Sequence, residues 1–169
     1  VGIKEHRKFL GQLGMLKPMG IELLETGAPL SPERWREINS MTISYGHGLA
    51  VSPLHLVAGV SAIVNGGIYR SPTLIRREPG ASVAGKRIIS EETSTNMRHL
   101  MRLVVENGTG RGAAAPGYLV GGKTGTAEKA SVRGYKKKAL ISSFVAAFPM
   151  QKPKYALLAM LDEPKGTKE

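Results

Sequence analysis

The chain has 169 residues, 41% of them apolar and 22% charged, which suits a globular domain with a real core. It contains no cysteine, which excludes disulfides, thiolate metal sites and cysteine nucleophiles; its four histidines form no H-E-x-x-H pattern, so neither a metal nor a cofactor is expected. The formal charge of +11 invites a nucleic-acid reading, but the one dense basic cluster, Lys136-Lys137-Lys138 with Lys129 and Arg133, is interleaved only by Tyr135, too little for a stacking platform, so no nucleic-acid partner is expected.

In chain order, residues 3–13 carry apolar side chains at helical spacing and predict a short helix ending near Gly14. Residues 16–29 are punctuated by Pro18, Gly20, Gly27 and Pro29 and read as irregular. Ser31-Pro32 predicts one helical turn over residues 31–35, with Trp35 packed on the core. Residues 44–48 read as a loop. Ser52-Pro53 then opens a strong helix to Asn65, apolar nearly all round and therefore buried. His47 and His55 flank its start; neither is partnered by a serine motif, and both are expected to be structural. Residues 68–75 and 86–89 read as extended, with a polar excursion between them. Ser90 caps an amphipathic helix whose stripe runs Met97, Leu100, Met101, Val104 and Val105, ending at Asn107-Gly108. Two chance motifs lie here. Ser94-Thr95-Asn96 spells S-x-N on that helix, and residues 108–113 spell G-x-G-x-x-A after a helix instead of a strand.

Three strand candidates follow: about 120–128, 140–148 and 155–162. Their short connections predict antiparallel hairpins, with residues 129–138 as a basic loop. Helices first and strands last give an α+β fold, with helices packed on an antiparallel sheet.

The first of these strands holds the densest chemistry, Gly121-Gly122-Lys123-Thr124-Gly125-Thr126. On a strand, Lys123 and Gly125 face one way and Thr124 and Thr126 the other, so the segment offers an ammonium, two hydroxyls and main-chain N–H groups to an anion. Gly117 to Thr124 also fits the P-loop pattern G-x-x-x-x-G-K-[ST], and residues 157–162 resemble an apolar strand ending in a magnesium-binding Asp. A P-loop needs a strand before its first glycine and a helix starting at its Lys-Thr; neither is legible here, so the nucleotide-hydrolase reading is the weaker one.

The order of motifs resembles a family. Ser44-Tyr45-Gly46-His47-Gly48, Ser52-Pro53-Leu54-His55-Leu56, Asn65-Gly66-Gly67, Asn107-Gly108-Thr109-Gly110, Lys123-Thr124-Gly125-Thr126-Ala127, Ser143-Phe144-Val145-Ala146 and Asp162-Glu163-Pro164 are together similar to the C-terminal part of the class B penicillin-binding protein transpeptidase domain, the division type included. No serine of the chain has a lysine three residues later, so the S-x-x-K nucleophile motif is not here and the matched region is expected to be one wall of a site. The resemblance implies a serine D,D-transpeptidase that cross-links D-Ala-D-Ala stem peptides of peptidoglycan and is acylated by β-lactams. It implies catalytic roles for Lys123 and Thr126 and substrate binding by Thr124, Gly125 and Thr126. It further implies cell-wall or division machinery as partners, a membrane anchor far N-terminal to this region, and a periplasmic location at the inner membrane. A β-lactam-sensing binding domain shares the same sheet and is the alternative in another class. The chain alone is expected to be inert and to expose apolar surface.

Overall fold

The computed structural model describes residues 2–78, 80–131 and 134–165. The chain divides into two compact units, Val1–Met97 and Arg98–Glu169.

The first unit contains helices α1 (Ile3–Gln12), α2 (Glu37–Ser44) and α3 (Pro53–Val64), the two-residue strands β1 (Ile68–Tyr69) and β2 (Lys86–Arg87), and the start of α4 (Glu91–Asn107). Helix α1 ends where expected, with Gly14 at φ 78°, a conformation that costs glycine little. Helix α3 begins as Ser52-Pro53 predicts. The Ser52 hydroxyl accepts from the His55 N–H, and proline takes the first helical position, where no N–H is needed. Half of its residues are buried, among them Ala58, Val60, Ala62 and Val64.

Three expectations need correction in this unit. Residues 31–35 form no helical turn; the helix starts later, at Glu37, where the Arg36 N–H donates to Asn39 Oδ1 at 2.9 Å. Trp35 is half-buried and sits against α1, its ring edge-on to His6 at 5.9 Å with the Arg7 guanidinium carbon 5.9 Å from its centroid. The extended segment at 68–75 is a strand only over Ile68–Tyr69; beyond it, Glu22 holds the chain by accepting from the Thr73 hydroxyl and the Leu74 N–H. Those two donors hold the Glu22 carboxyl below the usual carboxylate range.

The second unit contains the rest of α4, a single 3₁₀ turn (Arg111–Ala113) and the strands β3 (Gly121–Ser131), β4 (Gly134–Phe148) and β5 (Tyr155–Asp162). The strands form one antiparallel sheet in the order β3-β4-β5. Its centre is small and apolar: Val145, Ala146 and Ala147 on β4 are buried, as are Val120 and Met150 at its end and Met101 and Val105 on α4. Small side chains on the middle strand let other elements approach closely. The expected α+β class and antiparallel pairing are what the chain adopts. The basic loop is not. Pairing continues past a bulge between Glu128 and Ala130 out to Ser131 and Gly134, so most of residues 129–138 is strand. Arg133 lies outside the described residues. On β5, Tyr155, Leu157, Met160 and Leu161 are exposed, as expected of a chain that presents uncovered apolar surface.

Candidate active-site strand

The Lys-Thr-Gly-Thr run lies in β3. Its register on β4 pairs Lys123 with Val145, Thr124 with Phe144, Gly125 with Ser143 and Thr126 with Ser142. Residues directly opposite in an antiparallel pair share a face. Thr124 and Thr126 therefore share one face with Phe144 and Ser142, and Lys123 and Gly125 share the other with Val145 and Ser143. A helix beginning at Thr124 is absent, and the segment before Gly117 is a 3₁₀ turn and loop instead of a strand. That removes both structural requirements of the P-loop reading.

Lys123 and Thr126 are exposed and Thr124 is half-buried. The Lys123 ammonium donates to the Thr124 carbonyl at 2.7 Å, which folds it back along the strand and leaves two of its three N–H donors for a ligand. Gly125 lies against Ser143: a Cβ there would sit 2.8 Å from Ser143 Oγ, which itself donates to the Gly125 carbonyl at 3.3 Å. The four sequence-predicted site residues thus stand together on one short stretch, at the outside of the sheet.

Two further groups are brought to this strand that sequence reasoning did not assign. Thr109, in the turn after α4, places its hydroxyl oxygen 2.8 Å from that of Thr124. Ser143 is the second. No local spacing could reveal Thr109, because fifteen residues and a turn separate it from Thr124; Ser143 becomes visible once the hairpin register puts a small hydroxyl opposite a glycine.

Lys129, grouped by sequence with the basic loop, is instead tied down. Its ammonium reaches Asp162 at 2.7 and 2.9 Å and Glu163 at 3.2 Å, linking the far ends of β3 and β5 across β4. Asp162 first, then Glu163, raises its pKa above the usual lysine value.

The remaining candidates are structural. His55 makes structural hydrogen bonds, as expected, and one partner is the helix-capping serine: its Nδ1 lies 2.6 Å from Ser52 Oγ. Its Nε2 lies 2.8 Å from the Lys17 carbonyl, which can only accept, so Nε2 carries the proton and the Ser52 hydroxyl donates to Nδ1. With the ring 1% exposed and both nitrogens occupied, His55 locks the start of α3 to the chain at Lys17. Ser94 of the S-x-N decoy is fully buried; it donates to the Ile63 carbonyl and accepts from the Gly66 N–H at 3.0 Å. Replacing Ser94 by alanine should cost about 1–3 kcal/mol of stability in urea unfolding, because it strands a buried acceptor and a donor. Among the described residues no three His, Cys, Asp or Glu side chains converge as metal ligands would.

A lysine and two threonines flanking a glycine on the outer strand of an antiparallel sheet are the Lys-Thr-Gly arrangement of the class of serine acyl-transfer enzymes that the sequence resembles. The comparisons agree with that class. Residues 1–169 match the penicillin binding protein transpeptidase domain family. A probable peptidoglycan D,D-transpeptidase FtsI of Caulobacter vibrioides is 41% identical over 98% of this chain and 30% of its own length. Stage V sporulation protein D of Bacillus subtilis is 36% identical over 99% of this chain and 28% of its own. Among solved structures, the apo transpeptidase domain of Burkholderia pseudomallei penicillin-binding protein 3 superposes with a TM-score of 0.89 at 34% identity, over 97% of this chain and 50% of that one. Penicillin-binding protein 3 of the Mycobacterium species, solved with aztreonam, superposes with a TM-score of 0.86 at 27% identity, over 97% of this chain and 41% of that one. The chain belongs to the penicillin-binding protein transpeptidase domain family, and it spans about three tenths of the length of the curated relatives it matches.

Proposed function

We propose that the full-length protein is a class B serine D,D-transpeptidase of peptidoglycan synthesis and that these 169 residues supply the Lys-Thr-Gly wall of its site. The observation that carries this reading is the exposed Lys123-Thr124-Gly125-Thr126 strand, held on an antiparallel sheet in a chain that matches the family throughout. The reaction the wall serves is acyl transfer. A serine outside this chain attacks the penultimate D-Ala carbonyl, the peptide C–N bond breaks, and D-Ala leaves with a proton. An amine of a neighbouring stem peptide then takes the acyl group and frees the serine. β-Lactams enter the first half of this sequence and stop at the acyl-enzyme.

Each residue has a physical role in that scheme. Lys123 brings positive potential to the rim of the site. The hydroxyls of Thr124 and Thr126 bind the carboxylate of D-Ala or of the β-lactam, an acceptor whose charge strengthens each hydrogen bond. Gly125, whose missing side chain makes room for the Ser143 hydroxyl, offers the ligand its main-chain groups at the edge of the sheet. The main-chain N–H at Thr126 donates to the developing oxyanion, a group fixed in place before the reaction starts. By the names of its relatives, the cell-wall or division machinery is the protein's setting. The location proposed is the periplasmic face of the inner membrane, with the anchor in sequence outside this chain; among the described residues no helix is long and apolar enough to cross a membrane.

The test is a comparison of two compounds. Thr124→Val and Thr126→Val keep the β-branch and remove the hydroxyl. In the full-length protein both should slow acylation by a β-lactam with a free carboxylate by about tenfold each, and should barely change acylation by its methyl ester. Equal losses on both compounds would remove the carboxylate role. The 169 residues expressed alone should form no stable adduct with fluorescent penicillin by intact mass, since covalent catalysis needs a nucleophile beside its base. An adduct on any of their own serines would overturn the reading of this chain as one wall.

A further inference from the structure

The Thr109–Thr124 contact carries a consequence for ligand selection, and it rests on the carboxylate-binding reading of the strand. Thr109 stands in a turn held to the end of α4 by two backbone hydrogen bonds. The N–H groups of Gly108 and Gly110 both donate to the Val104 carbonyl, at 3.1 and 3.0 Å. A Cβ at Gly108 would fall 2.9 Å from the Val104 oxygen, and one at Gly110 would fall 3.1 Å from both the Phe144 ring and Val104 Cγ1. The turn is therefore pressed between the end of α4 and Phe144, the β4 residue opposite Thr124. Thr109 is delivered to Thr124 by steric fit from two sides.

Two hydroxyls 2.8 Å apart share one hydrogen, and the direction of that bond decides what each offers outward. If Thr124 donates to Thr109, Thr124 presents only lone pairs to the rim. If Thr109 donates to Thr124, the Thr124 hydrogen is released to point at a ligand, and the bond behind it polarises it. A carboxylate can only accept, so it selects the second arrangement.

We infer that Thr109 is a positioning residue for anion recognition: it donates to Thr124 Oγ1, frees the Thr124 hydrogen for the ligand carboxylate, and so makes the wall discriminate a charged ligand from a neutral one. Thr109 acts through Thr124 and touches no reacting atom.

The experiment uses the full-length protein and the same β-lactam as free acid and as methyl ester. Thr109→Val should slow acylation by the acid roughly five- to tenfold, the scale of one hydrogen bond, and leave the ester within about twofold. Thr109→Ser keeps the donor and should restore the acid rate. In a Thr124→Val background, Thr109→Val should add nothing, because the coupling runs through that one hydroxyl. If Thr109→Val slows acid and ester alike, or lowers the thermal midpoint while serine fails to rescue, the residue only braces the turn and the inference is wrong. If Thr124→Val discriminates acid from ester and Thr109→Val does not, the inference fails while the site reading stands. If Thr124→Val does not discriminate either, both fall together.

Discussion

Lys123→Ala in the full-length protein should slow acylation by penicillin by about 10²–10³, the usual cost of removing one preorganised electrostatic group from an acyl-transfer site. Stability should hardly change. Lys123 is exposed, and among the described residues its ammonium donates to the carbonyl of its own neighbour, so truncation strands no buried partner there. The alanine side chain still suits the strand, and opposite it Val145 keeps its packing. Stopped-flow acylation and a thermal melt on the same preparation separate the two effects. A mutant that acylates at the wild-type rate would reduce Lys123 to a surface residue; one that melts far lower would make it a structural one.

Gly122→Ala should do the opposite and damage the fold first. A Cβ at residue 122 would sit 2.5 Å from the Phe144 ring and 2.5 Å from the Val145 carbonyl oxygen. The ring can swing; the carbonyl belongs to the backbone of β4 and moves only if β3 and β4 part. Overpacking of this kind costs roughly 1–3 kcal/mol, and with a backbone atom in the way the upper end is expected. Because Lys123 is the next residue, the distortion should carry into acylation as well. Denaturant unfolding that leaves the midpoint within error of wild type would show that the strands part without cost.

The second unit was the more legible in the sequence. Its strands are bounded by glycines and prolines, and the turn at residues 149–153 is too short for anything but an antiparallel return. The placement of Lys123 and Thr124 on alternate faces followed from strand period alone. Helix α2 was not legible, because its start depends on one hydrogen bond from the Arg36 N–H to the Asn39 side chain and its residues carry only one buried side chain, Ile43. The continuation of β3 and β4 past Glu128 was missed for a related reason. A polar hairpin arm has no apolar alternation to read, and its pairing rests on backbone bonds that every sequence can make. Thr109 was hidden because its meaning arises only when a turn is brought to a strand in space.

The position of β3 at the outside of the sheet has one more implication. Among the described residues it is bonded to β4 alone, so alternate N–H and C=O groups of the Lys-Thr-Gly strand face outward. An extended ligand laid along it meets a ready-made ladder rung by rung, as an added strand would. Those rungs belong to the peptide unit and are the same for every amino acid but proline, which lacks the N–H. Short of proline, selection for escape from an inhibitor that uses them cannot erase them by substitution. It can only tilt the strand, crowd its approach, or alter the ammonium and hydroxyls beside it, and each of those changes also falls on whatever natural ligand reads the same ladder.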